Sequence, residues 1–279
     1  MQKILVAFDA TYSDRNALQT TAYFAQLSGS KITGIFLENE PAEQHAVIKQ
    51  KYGIDYVDFE VDEESFAHKT KMEMVERNIS IFKKRCLEKD ISYNLHRDTG
   101  VPEDELIEES RFADVMIVDA ETSFGDFYEG SPTPFIKDVI TKAQCPVIIA
   151  PETFTEVNDL VFAYDGSPSS LFAIKQFTYL FPQLANRHPV IVTVNKKGKW
   201  DEDEQNKLKE WLGAHYTNHS FEALEGDAEI RLFDYLLKKD KALLVIGAYG
   251  RSGLSQFFKR SHADLLLKTL IQPIFISHL

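Results

Sequence analysis

Cations are scarce in this chain of 279 residues: 31 lysines and arginines face 43 aspartates and glutamates, for a formal charge of −12. That balance argues against a nucleic-acid sleeve or an anionic membrane surface as the main partner, since both recruit basic side chains. It still leaves room for one small basic pocket. Cysteine is nearly absent. Cys86 and Cys145 are far apart in sequence, which argues against a disulfide framework or a thiolate zinc site and suits a reducing cytoplasm. Both thiols are expected in the core. No apolar run approaches the length of a bilayer span. The opening stretch Met1-Gln2-Lys3-Ile4-Leu5-Val6-Ala7-Phe8-Asp9 is too short and too soon interrupted for a secretion signal, and it reads as a first buried strand.

The signatures of catalysis are missing as well. The chain has no Gly-x4-Gly-Lys-[Ser/Thr] phosphate loop, no Gly-x-Gly-x-x-Gly fingerprint, no Gly-x-Ser-x-Gly elbow and no His-Glu-x-x-His. Of the histidines only His215 and His219 have a ligand-like spacing. They would share a face if helical, but Tyr216-Thr217-Asn218 reads as a turn, so both are expected on the surface and no metal site is expected. Trp200 and Trp211 are expected to pack rather than to stack on a ligand. No residue reads as an activated base. The chain is expected not to be an enzyme.

What is present is a globular composition, 44% hydrophobic and 27% charged, in a length comfortable for two domains. Lys3–Asp9 reads as a strand, Ala17 to Leu27 carries helical apolar spacing, and Lys31–Leu37 reads as a second strand. The connection suits a parallel crossover. Residues 38 to about 70 differ: Glu38, Glu40, Glu43, Asp55, Asp58, Glu60, Asp62, Glu63 and Glu64 stand with few cations. This segment reads as an acidic insertion outside the sheet, partly helical, serving as a solvated face or as a docking surface for a protein partner. Next come a helix from Met72 to Lys89, a strand over Ile91–His96, a helix opening at Pro102 with acids in its first turn, a strand over Ala113–Asp119, a helix over Pro134–Ala143, and a last strand after Cys145-Pro146.

The second half repeats this plan. Leu160-Val161-Phe162-Ala163-Tyr164-Asp165 matches Ile4-Leu5-Val6-Ala7-Phe8-Asp9, and Ser167-Pro168 is an N-cap followed by proline at the first helical position. Val190–Asn195 is a second strand, a helix with acids at its start runs from Glu204 to Leu212, and His219–Leu224 is a short strand. Gly226-Asp227-Ala228 answers Gly100-Val101-Pro102, Ala242–Ile246 answers Ala113–Val118, and Gln272-Pro273-Ile274 answers Cys145-Pro146-Val147. Asp9 and Asp165 are 156 apart while Pro146 and Pro273 are 127 apart, so the first copy is longer by 29 residues, about the size of the insertion. The chain is read as an internal duplication of a doubly wound α/β domain. Residues 1–151 form one copy, 158–279 the other, and the stretch between is a linker.

One loop stands out. The apolar run Leu243-Leu244-Val245-Ile246 stops at Gly247, and Gly250, Arg251 and Gly253 follow, then Lys259, Arg260 and Ser261 ahead of a helical pattern. At the carboxyl end of a strand in an open α/β sheet, glycines let backbone N–H groups approach an anion, and a helix start near Ser261 adds a positive dipole end. Spacing alone does not separate such a cradle from an ordinary turning loop.

Taken together, the strand ending in Asp (Asp9, Asp165), the mid-domain glycine turn before the third helix, the fourth strand running into a glycine loop and the Cys-Pro or Gln-Pro turn into a final strand resemble the universal stress proteins, here in tandem. The resemblance covers nearly the whole chain apart from the insertion. It implies a Rossmann-like fold of two five-stranded parallel sheets, each of order 3-2-1-4-5, and pairing of the two domains through their last strands as an intramolecular pseudo-dimer, with a further homodimer open. It also implies ATP, with Mg2+, bound through a motif written Gly-x2-Gly-x9-Gly-[Ser/Thr]. Gly247 and Gly250 match its first two positions, Arg260 replaces its third glycine, and Ser261 matches its hydroxyl. Asp165 would meet the adenine or ribose end, while the Gly247–Gly250 turn, Arg251, Gly253 and Ser261 would lie at the phosphates. Arg260 reads two ways: the lost glycine removes clearance, yet a guanidinium is a good fork for phosphate oxygens. The first copy departs further. Asp119 and Thr122 stand where Gly247 and Gly250 stand, and Asp119 and Glu121 would repel phosphate. The expectation is one adenine-nucleotide site, in the second domain.

Overall fold

Strands that are apolar along their whole length need cover on both faces. In the computed structural model, which describes residues 3–12, 16–125, 130–239, 241–247 and 272–277, they have it. The first half runs β1 (Lys3–Asp9), α1 (Asn16–Ser28), β2 (Lys31–Asn39), β3 (His45–Lys51), β4 (Ile54–Glu60), α2 (Phe66–Glu88), β5 (Tyr93–Gly100), α3 (Pro102–Ser110), β6 (Val115–Asp119), α4 (Pro134–Lys142) and β7 (Val147–Ala150). The second runs β8 (Asp159–Ala163), α5 (Pro168–Leu180), β9 (Pro189–Asn195), α6 (Glu202–Gly213), β10 (Ser220–Glu225), α7 (Ala228–Leu236), β11 (Ala242–Gly247) and β12 (Ile274–Ser277).

Ten strands form one sheet in the order β10-β9-β8-β11-β12-β7-β6-β1-β2-β5. Each half thus has the order 3-2-1-4-5 that the resemblance implies. Within a half all pairings are parallel, while the central pair β12–β7 is antiparallel, with Ile274 opposite Ile149 and Ile276 opposite Val147. Alternation along β1 sends Ile4, Val6 and Phe8 into one core layer and Leu5 and Ala7 into the other. Both layers draw residues from both halves. On one face Phe24 of α1 meets Phe181, just after α5, at 4.9 Å between ring centroids, and Phe177 meets Phe275 of β12 at 5.2 Å. The segment between the halves is held down: Phe154 packs edge-on against Tyr23 at 5.1 Å, and Val157 N donates to the Tyr23 hydroxyl at 3.3 Å.

Local signals in the sequence explain most helix starts. Ser167 accepts from Ser170 N at 3.1 Å, Thr133 from Ile136 N at 3.2 Å and Asp201 from Glu204 N at 3.1 Å, each meeting an amide that a helix leaves without an internal partner. Cys86 and Cys145 are free and buried, and burial pushes their thiols up to about 11 and about 12. His215 follows α6 and His219 precedes β10, so the two share no helix. Trp200 packs as expected, its indole N–H donating to the Glu222 carbonyl at 3.0 Å.

The insertion is where the structure departs from the sequence reading. It is helical only in a short 3-10 turn at Glu40–Ala42 and in the start of α2, which begins at Phe66 rather than Met72; residues 45–60 between them are a two-stranded antiparallel hairpin, β3 with β4. Its turn is Tyr52-Gly53, with φ of 54° and 77°, the positive pair that a tight two-residue hairpin turn needs. Lys49 bridges Asp58 (2.7 Å) and Glu60. The hairpin is outside the main sheet, as expected, but it is not simply a charged face: Ile48, Ile54, Val57 and Phe59 are 78%, 71%, 60% and 61% exposed. β5 also differs from expectation. It continues to Gly100 because it pairs with β2 through Asn39.

Candidate nucleotide site at the carboxyl ends of the strands

In each half the strand order reverses between the first and fourth strands, at β1/β6 and at β8/β11, and such a switch point opens a crevice at the carboxyl ends. Asp165 stands two residues beyond β8 and Gly247 closes the neighbouring β11, so the pairing of these strands brings both predicted residues to one crevice. Asp165 Oδ1 accepts from Ser167 N at 3.0 Å and so turns the chain into α5. Gly166, at φ 82°, makes that turn. Beside it Tyr164 stacks on Trp200, 5.7 Å between centroids and 15° between planes.

Gly247 has a use that the sequence did not reveal. A Cβ on it would lie 2.4 Å from the Ser169 carbonyl carbon and from Ser170 N, and 2.5 Å from the Ser169 oxygen. The strand end therefore presses directly on the first turn of α5. Gly250, Arg251, Gly253, Arg260 and Ser261 lie outside the described residues, and so does the helix expected near Ser261.

The first half holds acids at the matching points. Asp9 Oδ1 accepts from Thr11 N at 2.8 Å and from Thr11 Oγ at 2.7 Å; burial raises its carboxyl above the ordinary value, against the pull of those bonds. Asp119, at the end of β6, accepts from Glu121 N at 2.8 Å, and burial raises it as well. Between these strand ends and the insertion lies a cavity of about 510 Å3, lined by Asp9, Glu38, Glu43, Asp62, His68 and Lys71 among others. Glu38 is 2% exposed. Burial alone would raise it, but Arg97 and Lys71, the latter at 2.9 Å, hold it below the ordinary value. Lys71 also pairs with Glu43, so the chief cation of this cavity is already committed to carboxylates. A polyphosphate would meet more acid than base here. The sequence reading passed over this cavity because most of its lining comes from the insertion.

No protein-family model matches the sequence, and no curated protein matches it. Among solved structures, the likeness runs end to end. A universal stress protein from Archaeoglobus fulgidus DSM 4304 is 15% identical, with 99% of this chain and 96% of that one covered and a TM-score of 0.72. A putative universal stress protein from Pseudomonas aeruginosa UCBPP-PA14 is 14% identical, with 100% and 93% covered and a TM-score of 0.61. A functionally unknown protein from Pseudomonas aeruginosa PAO1 is 15% identical, with 100% and 92% covered and a TM-score of 0.60. The class is thus a duplicated, doubly wound α/β protein whose two sheets run into one. Its fold is that of the universal stress proteins in tandem, as the sequence resemblance implied. Among the described residues no helix is long and apolar enough to cross a membrane.

Proposed function

We propose that the chain is a cytoplasmic, non-enzymatic stress-response or signalling protein that binds one adenine nucleotide, ATP with Mg2+, in its second half. The observation that carries this reading is the seating of Gly247 against the first turn of α5 beside Asp165. It supports a crevice in which helix N–H groups and a strand end converge, an arrangement that favours an anionic ligand with a hydroxyl-bearing end. The first half supplies the contrast, with Asp119 where the second half has Gly247 and an acid-lined cavity at its strand ends. Arg260 would then serve as a phosphate clamp in place of the family's glycine. Calorimetric titration of the full chain with ATP, with and without Mg2+, tests this. One nucleotide per chain is expected, weakened about tenfold or more by Asp165→Ala through loss of a charge-assisted hydrogen bond and unaffected by Asp9→Ala. A flat titration of the wild type, or equal loss in both variants, would sink it.

A second reading has its own support: the apolar exposure of the hairpin fits a protein-interaction module without nucleotide binding, whose contact surface is the insertion. The flat ATP titration is the result that would favour it.

A further inference from the structure

A second cluster lies at the far edge of the first half, away from both crevices. β5 is the outermost strand of the sheet there. His96 and Asp98 are two apart on it and therefore share a face. α3 follows directly, and Glu109 on its last turn returns to that face: His96 Nδ1 lies 2.8 Å from Glu109 Oε1. One donor atom from each of His96, Asp98 and Glu109 lies within 4.8 Å of the others.

We propose that His96, Asp98 and Glu109 form a binding site for a divalent first-row metal ion. An ion pair between His96 and Glu109 is the simplest alternative, and it accounts for two of the three groups. It leaves Asp98 unexplained: its Oδ2 is shut off from solvent and has no hydrogen-bond partner among the described residues. A carboxylate oxygen buried without a donor is costly, and a metal ion between the three side chains would satisfy it. The charges around it agree. From β5 come His96 and Asp98, from α3 Glu105 and Glu109, and from β1 Lys3, whose Nζ is 3.7 Å from Glu109 Oε2. Lys3 thus occupies one oxygen of Glu109 and leaves the other toward His96.

The donor set selects the ion. One imidazole with two carboxylates suits Zn2+ or Mn2+, whereas Ca2+ prefers all-oxygen shells and Cu+ prefers sulfur. Metal–ligand bonds of about 2.0–2.2 Å in a tetrahedral shell set neighbouring donors roughly 3.3–3.5 Å apart, so on binding His96 Nδ1 and Glu109 Oε1, now 2.8 Å apart, would part slightly and Asp98 would draw in. Three protein ligands would leave positions for water.

The test uses the full chain, stripped of metal with a chelator that is then removed, and titrated calorimetrically with Zn2+. One equivalent is expected to bind. Asp98→Asn, His96→Gln and Glu109→Gln should each weaken it about tenfold or more, while His188→Gln, on the opposite half, should leave it unchanged. Melting temperatures without metal separate folding from binding, because a structural role would move those and not the Zn2+ affinity. Should one variant fail to fold, the other two decide. Equal Zn2+ affinity in wild type and the folded variants, or no wild-type site tighter than about 100 μM, overturns the proposal.

Discussion

Replacing Gly247 with alanine adds one methyl group, and its cost can be worked out from the atoms it would meet. The nearest are backbone atoms, at 2.4 to 2.5 Å, so no side chain can swing away and either the strand end or the first turn of α5 must move. Overpacking of this kind costs about 1–3 kcal/mol, and backbone contacts this short place it at the upper end. Moving α5 also disturbs the Ser167 cap on Ser170 N, at 3.1 Å, a bond of a type contributing about 1 kcal/mol. Against this, alanine restricts the unfolded chain and returns about 0.4–1 kcal/mol, since the backbone at Gly247 is not in the left-handed region. The net expectation is a loss of about 2–3 kcal/mol, or a fall in melting temperature of roughly 4–12 °C for a domain of this size.

Gly213 supplies the internal control. It ends α6, has nothing within 4 Å of where its Cβ would go, and also avoids the left-handed region. Gly213→Ala should therefore stabilise by about 0.5–1 kcal/mol. Urea melts of the two variants beside the wild type give both signs in one experiment. If Gly247→Ala stays within about 0.5 kcal/mol of the wild type, or moves in the same direction as Gly213→Ala, the close-approach reasoning is wrong, and the case for a crevice formed by β11 and α5 falls with it.

Asp119→Asn should make stability less sensitive to pH. Burial raises the folded carboxyl above 3.8, so the folded chain holds that proton more tightly than the unfolded one. The wild type accordingly loses stability as pH climbs from near 3.8 through the raised value, and the loss persists above it. The Asn variant lacks this loss. Its stability relative to wild type, read from urea midpoints, should grow between pH 4 and pH 7; a difference that is constant or shrinks contradicts the assignment. In the hairpin, Phe59→Glu is expected to change stability by less than about 0.5 kcal/mol, because Phe59 is 61% exposed. A large fall in its melting temperature would mean that the apolar surface of the insertion is covered within this chain rather than offered outward.

The succession of strands along the chain was legible because the buried runs are apolar on both faces and punctuated by glycine, proline or a capping residue, whereas their order across the sheet came from the family resemblance; Ser167-Pro168 marked the start of α5 to the residue. The duplication was legible for the same reason, twice over. The hairpin was not. Its apolar residues come in short consecutive stretches, Ala46-Val47-Ile48 and Tyr56-Val57, rather than in strict alternation, so they marked no core side and the acids around them dominated the reading. The His96–Asp98–Glu109 cluster was out of reach for a different reason: two donors sit on an edge strand and the third on a helix that must first fold back over it, and no spacing rule spans that step. Asp165 and Gly247 were singled out by position, yet position could not say what each does. The structure shows a role for each in the fold. Asp165 turns the chain into α5, and Gly247 lets α5 seat. A fold role does not compete with the proposed ligand role at these residues, since the close approach that Gly247 permits also brings the first turn of α5 to the strand end. It follows that loss of nucleotide binding in Gly247→Ala would not by itself identify a phosphate contact. Asp165→Asn is the cleaner probe. It keeps an oxygen for Ser167 N, so the entry to α5 survives, and it removes the negative charge from the crevice. A chain that folds as the wild type does but binds ATP less tightly would locate the loss in the ligand's own contact with Asp165.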